Sequence, residues 1–489
     1  MFEERAFQKK IIEDIREAIR KGYKEILTVS PTGSGKTVIF CLIAKLAYDK
    51  GHRVLIGVHR EKIVRQILKT LFDMGIQAGQ IMSGRSLTKD MVQVGMVQTI
   101  TKRLNVLKKN AFDIVIIDEG HHSVAKTYTD IIDYFTYKIL LSFTATPLRL
   151  DNVGMGAIYK YMVQAPPTKW FVQQGLLKKF YVVGPPEEIK EDFHVKRGDF
   201  DKKEQQEAFT KKNIVGNVIT HYRKYLNYKP AICFCVSKKH CDIMADVFIQ
   251  AGYVAVAIYS GMKKEDEKKA YEGFENGSIH IITSCDKIGE GVDVPGIVGV
   301  ILLRRTTSLA LFLQWCGRGA RPFESEPTNY ILDHAGNSDI HGHPLDDREW
   351  SLHSKKINPL KTKPKPSTKC PECFGVFQGI LKICPGEIAP GVICGFKFEE
   401  KKKVEKRKIP KVIEAELIEK LPKESQEVIK VLTNDIMRME NMAPKTRQKF
   451  LIKRAHELGN KDEVQALADM IGYKKGWTTY IFKNFVKKR

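Results

Sequence analysis

Ser30-Pro-Thr-Gly-Ser-Gly-Lys-Thr37 follows the apolar run Ile26–Val29 and precedes the apolar-periodic run Val38–Ala44. That order predicts a strand, a phosphate-binding loop and a helix. Gly33 and Gly35 can take backbone conformations closed to other residues, so successive N–H groups can turn inward around an anion, with Thr32 and Ser34 between them. Lys36 is placed to reach the β- and γ-phosphates of a nucleotide, and Thr37 to hold Mg²⁺, at a helix N-terminus that itself favours negative charge. Ser30 stands where the general pattern has its first glycine.

Around this loop, residues 1–165 alternate short apolar runs with helical patterns. The predicted strands are Ile26–Val29, Val54–Val58, Val92–Met96, Ile114–Asp118 and Ile139–Phe143, which implies a parallel sheet flanked by helices. Ligands of such sheets bind at the carboxyl ends of the strands, where the loop, Asp118 and Thr144 all fall. Ile114-Val-Ile-Ile-Asp-Glu-Gly-His121 is a buried strand ending in two acids. Asp118 is suited to hold Mg²⁺ through water, and Glu119 to orient or deprotonate the attacking water.

Residues 166–348 carry a second alternating set, Ala231–Val236, Val254–Ile258, His280–Thr283, Ile297–Leu302 and Tyr330–Leu332, with no phosphate loop. Two α/β layers and one loop predict that the second domain closes over nucleotide held by the first. Gln314-Trp-Cys-Gly-Arg-Gly-Ala-Arg321 supplies two arginines three residues apart. Arg318 and Arg321 can neutralise charge developing on a γ-phosphate.

The chain of 489 residues is long enough for three or four domains, and its formal charge of +24 attracts polyanions, of which nucleic acid is the commonest. No apolar run approaches membrane-spanning length, and the N-terminus has no signal-peptide stretch. Cys41, Cys233, Cys235, Cys241, Cys285 and Cys316 lie in apolar segments and read as reduced core thiols. The expectation is an intracellular, cytoplasmic protein associated with nucleic acid.

The ordered motifs resemble those of superfamily 2 helicases and translocases of the DExH type, over about residues 1–345. Arg5-Ala-Phe-Gln8 looks like the adenine-reading Gln motif, Ser30–Thr37 like motif I, His59-Arg-Glu61 with Gln66 like motif Ia, and Gln98-Thr99 like the next strand-end motif. Asp118–His121 matches motif II, Thr144-Ala-Thr146 motif III, Cys233–Ser237 motif IV, Gly289–Asp293 motif V and Gln314–Arg321 motif VI. Thr144–Arg149, Asp333–Asn337 and Asp346–Trp350 look like the Ssl2/XPB-like group, which includes UvsW-type phage helicases. The resemblance implies an α/β fold of two tandem RecA-like domains with ATP and Mg²⁺ between them. It makes Lys36, Asp118, Glu119, His121, Gln314, Arg318 and Arg321 the catalytic set. It also places Thr283, Gly291 and Asp293 at the domain junction and implies DNA as partner. His121 is either a coupler of motif II to motifs III and VI or a plain structural histidine. Gly120 replaces the commoner Ala or Cys.

After residue 349 the composition shifts to a Pro/Lys linker, 349–369. Cys370-Pro-Glu-Cys373 has zinc-knuckle spacing, and Cys384 and Cys394 can complete a four-thiolate Zn²⁺ site in a ribbon-like module, 370–400, with a loop inserted between the second pair. Residues 401–489 read as a basic helical region. Within it, Trp477, Phe482 and Phe485 either form a small core or stack on bases among lysines. A restriction-type motor shares these motifs, but an integral nuclease needs a spaced Asp and Glu-x-Lys on strands. Glu400-Lys-Lys402 lies inside a lysine run.

Overall fold

The computed structural model describes residues 4–149, 153–184, 193–196, 198–286, 296–322, 326–353, 366–389 and 392–398. Motif V, most of the Pro/Lys linker and the C-terminal helical and aromatic segments lie outside these residues.

The first sheet contains β1 (Glu25–Val29), β2 (Val54–Val58), β3 (Gly79–Ile81), β4 (Val92–Met96), β5 (Ile114–Asp118), β6 (Ile139–Thr144) and β7 (Tyr161–Gln164), in spatial order β3-β4-β2-β5-β6-β1-β7. Every pairing in it is parallel. Strands covered on both faces need no polar side, which is why β2 and β5 are near-continuous runs of Val, Ile and Leu. The register sets Val29 beside Thr144 and Asp118 beside Phe143, so the ends of β1, β5 and β6 form one level edge. Helix Ala6–Arg20 buries Phe7, Ile11, Ile12, Ile15 and Ala18, a single apolar stripe at helical spacing.

The second sheet begins with β8 (Lys179–Val183). A short hairpin, β9 (Val195–Lys196) and β10 (Asp199–Phe200), stands apart from it. The sheet then takes in β11 (Ala231–Phe234), β12 (Ala255–Ile258), β13 (Ile281–Ser284), β14 (Gly299–Leu302) and β15 (Thr328–Asp333). Its order is β12-β13-β11-β14-β15-β8, parallel throughout, and it continues into two strands of the cysteine module, β17 (Gly375–Gln378) and β16 (Ser367–Lys369). β17 runs antiparallel to β8, with Gly375 opposite Val183 and Val376 opposite Val182. The last hairpin is β18 (Glu387–Ala389) with β19 (Val392–Ile393), inside the stretch separating Cys384 from Cys394.

Two parallel α/β domains, the predicted architecture, are therefore present. The predicted strands recur with ends shifted by at most two residues: β2, β4 and β5 match, β11 stops at Phe234 rather than Val236, and β13 runs Ile281–Ser284 rather than His280–Thr283. Phe171 and Leu177 pack into the first domain's apolar cluster, so the chain leaves that domain only just before β8. All six cysteines predicted as core thiols are buried and free. Among the described residues no helix is long and apolar enough to cross a membrane.

Candidate active site

The phosphate loop takes the predicted shape. Gly33 and Gly35 both have φ of 84°, a left-handed conformation that leaves their N–H groups free to face an anion. Gly35 is the N-cap of helix Lys36–Tyr48. Ser30 is fully buried, its hydroxyl 2.6 Å from that of Ser34, and its N–H donates to the Thr144 carbonyl at 2.9 Å. A serine where glycine is usual therefore braces the loop from beneath. Lys36 Nζ donates to the carbonyls of Ser30 and Pro31 at 3.2 and 3.5 Å.

Thr32, Gly33, Gly35, Lys36 and Thr37 line a cavity of about 350 Å³ together with Ile63, Gln66, Asp118, Glu119, Arg318 and Arg321. Three sequence segments far apart in the first domain, and one from the second, thus share one space. The domains touch there. A Cβ on Gly317 would lie 2.6 Å from Thr32 Cβ, and one on Gly33 would lie 3.0 Å from a Leu177 methyl and 3.8 Å from Arg321 Cγ. Only a glycine at 317 permits this approach.

Asp118 is 6% exposed, and burial, then Glu119, pushes its carboxyl well above the usual carboxylate range, with Lys36 opposing. A divalent cation would reverse that shift. Glu119 sits at φ 51°, unusual for a non-glycine residue, and its Oε2 is buried without a hydrogen bond. Strain and an unsatisfied oxygen at one residue fit a group that engages a substrate water or metal. His121 Nδ1 lies 3.2 Å from Thr144 Oγ1 and 3.4 Å from Glu119 Oε2, joining the second and third motifs. Gly120 has a packing cause: a Cβ there would lie 2.9 Å from both Leu27 and Ser142.

Gln8 is buried, and its amide nitrogen would be 3.6 Å from a Cβ on Gly35, so the Gln motif abuts the loop. Gln314 is buried with both amide atoms unpartnered and does not line the phosphate cavity. Thr283 donates to the Cys241 carbonyl at 2.9 Å inside the second domain. Gly291 and Asp293 lie outside the described residues. The contact of Gly317 with Thr32 and of Leu177 with Gly33 had no signal in the sequence beyond the glycines themselves.

The four module thiols converge as the spacing predicts. Cys370, Cys373, Cys384 and Cys394 Sγ atoms all lie within 4.8 Å of one another, with Cys370–Cys394 at 3.6 Å and Cys373–Cys384 at 3.5 Å. Tetrahedral Zn–S bonds of ~2.3 Å put sulfurs about 3.8 Å apart, so this donor set fits zinc. The Gly386 N–H donates to Cys384 Sγ at 3.3 Å, a contact suited to a thiolate.

Comparison with known proteins agrees with this geometry. The family "Type III restriction enzyme, res subunit" matches residues 1–149, and "Helicase conserved C-terminal domain" matches residues 197–322. A 51.5 kDa protein of a Lactococcus phage (isolate 7-9) is 32% identical over 80% of this chain and 82% of its own length. The Saccharomyces cerevisiae protein named as an ATP-dependent helicase, IRC3, is 28% identical over 69% of this chain, which spans about half (52%) of its length. Among solved structures, a fragment assigned as the HsdR subunit of a type I restriction enzyme from Vibrio vulnificus YJ016 shares the fold, with a TM-score of 0.57 at 23% identity over 70% of this chain and 67% of that one. With a phosphate loop, paired acids and second-domain arginines lining one cavity, the chain belongs to the superfamily 2 helicases, ATP-hydrolysing motors of two RecA-like domains.

Proposed function

We propose that this protein is an ATP-driven helicase or translocase acting on duplex, forked or branched DNA. The observation that carries the reading is the shared cavity, in which Arg318 and Arg321 of one domain meet Lys36, Thr37, Asp118 and Glu119 of the other. ATP is the substrate there. Lys36 and the N–H groups of Gly33, Ser34 and Gly35 bind its phosphates, Thr37 and Asp118 hold Mg²⁺, and Gln8 reads adenine. Mg²⁺, when bound, offsets phosphate charge. Glu119 takes the proton of the attacking water, His121 keeps that carboxylate aligned with Thr144, and the arginines stabilise the charge that develops. Closure around ATP and release after hydrolysis change the grip of each domain on a nucleic-acid strand.

The net charge of +24 suits any nucleic acid, and the match to a restriction-enzyme subunit favours DNA over RNA. The pieces Thr144–Arg149 and Asp333–Asn337 favour an Ssl2/XPB-like placement within the superfamily. The four cysteines hold Zn²⁺ as a structural ion. The domains proposed are a first that runs to just before β8 rather than to residue 165, a second from β8 to about residue 348, a linker from about residue 354 to β16, a zinc module that starts at β16 rather than at residue 370, and a basic helical region 401–489, with Gly291 and Asp293 relaying strand contact to the nucleotide. A second reading, the motor subunit of a restriction system, is favoured by the same family match, and it requires a nuclease activity to accompany the motor.

ATP hydrolysis measured at fixed salt with single-stranded, duplex and forked DNA and with RNA tests the proposal, because phosphate contacts are salt-sensitive. Stimulation by DNA, greatest with duplex or forked forms, is expected. Stimulation by RNA alone would overturn the choice of substrate.

A further inference from the structure

The Asp346–Trp350 stretch plays no part in the chemistry above, yet it joins the two domains. It follows helix Asn337–His341, whose N-terminus is held by the Asp333 carboxylate through the N–H groups of Asn337 and Ser338 at 3.0 and 2.7 Å. The His341 ring lies 2.8 Å from the Thr306 carbonyl and stacks on Phe312 of the motif VI helix Leu309–Gly317. The chain then knots around Arg348, whose guanidinium donates to the carbonyls of His341, His343, Pro344 and Asp346 at 2.8–3.3 Å. Asp346 accepts from the His343 N–H and, at 2.7 Å, from Gln378 of β17. All of these partners belong to the second domain or to the cysteine strands paired with it.

Four residues on, the chain is in the first domain. Leu352 is 7% exposed within an apolar cluster whose other members, Leu27, Val29, Met155 and Tyr159 among them, all come from that domain, and Trp350 packs against the same cluster. The Leu352 carbonyl accepts from the Gly156 N–H at 2.7 Å. A Cβ on Gly156 would lie 2.6 Å from the His353 ring and 3.0 Å from that carbonyl. Between its two ends the segment lines a second cavity, with Asp346, Asp347, Arg348 and Trp350 facing Pro31 and Thr32 of the phosphate loop and Cys316 and Gly317 of motif VI.

We propose that residues 343–353 brace the two domains, and that Leu352 and Gly156 are positioning residues that keep motif VI against the phosphate loop. The inference rests on the reading of Arg318 and Arg321 as partners of the nucleotide. A brace fixed at one end by a knotted arginine and at the other by a buried leucine biases the cleft toward closure before any nucleic acid binds. Releasing it leaves closure to nucleic acid, which grips both domains, so turnover becomes more dependent on DNA.

Leu352→Asp removes the anchor from one side, Gly156→Ala displaces it from the other, and Leu352→Met keeps it. Hydrogen exchange without nucleotide is expected to quicken in segments 30–37 and 311–321 of the first two variants, with β11 and β13 protected as in wild type. DNA-free kcat/KM for ATP is expected to fall about tenfold or more, with a smaller loss at saturating DNA and wild-type behaviour for Leu352→Met. Unchanged exchange in both segments, or an equal loss with and without DNA, overturns the brace. If Leu352→Asp does not fold, Gly156→Ala carries the same test. Failure of the active-site reading is separate: it would show as altered exchange in these variants together with wild-type turnover by Lys36→Ala.

Discussion

Gly317→Ala sets the domain contact against the local preference of the helix. The added methyl would lie 2.6 Å from Thr32 Cβ and 2.9 Å from its Cγ2. Carbon pairs settle at ~3.5–4.0 Å, so the domains must separate by roughly 1 Å or distort. Overpacking of that size costs about 1–3 kcal/mol. At ~1.4 kcal/mol per tenfold, the closed population falls about 5- to 150-fold. Gly317 is also the last residue of helix Leu309–Gly317, where alanine is favoured over glycine by up to ~1 kcal/mol. The two effects have opposite signs and separate readouts. Calorimetry is expected to show an unchanged or slightly raised melting temperature, while kcat at saturating ATP and DNA falls within the stated range. Turnover within twofold of wild type would refute the claim that this glycine exists for the interdomain contact.

Other perturbations act on single groups of the molecule. Lys36→Ala is expected to abolish hydrolysis while filter-binding shows DNA affinity largely kept, because the excess positive charge lies elsewhere. Glu119→Gln is expected to bind ATP and stall, seen as retained nucleotide in a spin column with turnover reduced by ~100-fold or more; undiminished turnover removes its role as base. Purified in zinc-limited medium, or after Cys373→Ser, the protein is expected to lose bound zinc by elemental analysis and gain exchange in β16 and β17; a zinc-free module with full protection contradicts the metal site. Burial lowers His221, His240, His341 and His343 from 6.5 to about 4. The unfolded chain then binds more protons between those values, so stability is full above about pH 6.5 and is lost as pH falls toward 4, by up to ~1.4 kcal/mol per unit per histidine. A melting temperature flat from pH 7 to 4.5 would contradict this.

Much of the site was legible because its residues sit at strand ends, and the strands announce themselves. Ile114-Val-Ile-Ile in front of Asp118 has no polar side, so both its burial and its end were plain. Gly33 and Gly35 had only one conformational use beside Lys36. Elements set by distant partners were not legible. β17 reads as Gly-Val-Phe-Gln, and nothing local says that it pairs with β8, nearly two hundred residues earlier. Trp350 and Leu352 are two apolar residues in a charged stretch with no period, so their docking on the first domain's apolar cluster left no pattern. Gly317 read as one of several glycines near arginine, because its neighbour Thr32 lies in another domain. Ser30 looked irregular until its hydroxyl partner, Ser34, was placed.

Residues of both domains complete one nucleotide site, and Arg321→Ala removes the second domain's share of it. Nucleotide affinity and DNA-stimulated hydrolysis should be measured on the same preparation. Nucleotide binding within a few-fold of wild type and hydrolysis reduced by about 10³-fold or more are expected. Hydrolysis within a few-fold of wild type would contradict the shared site.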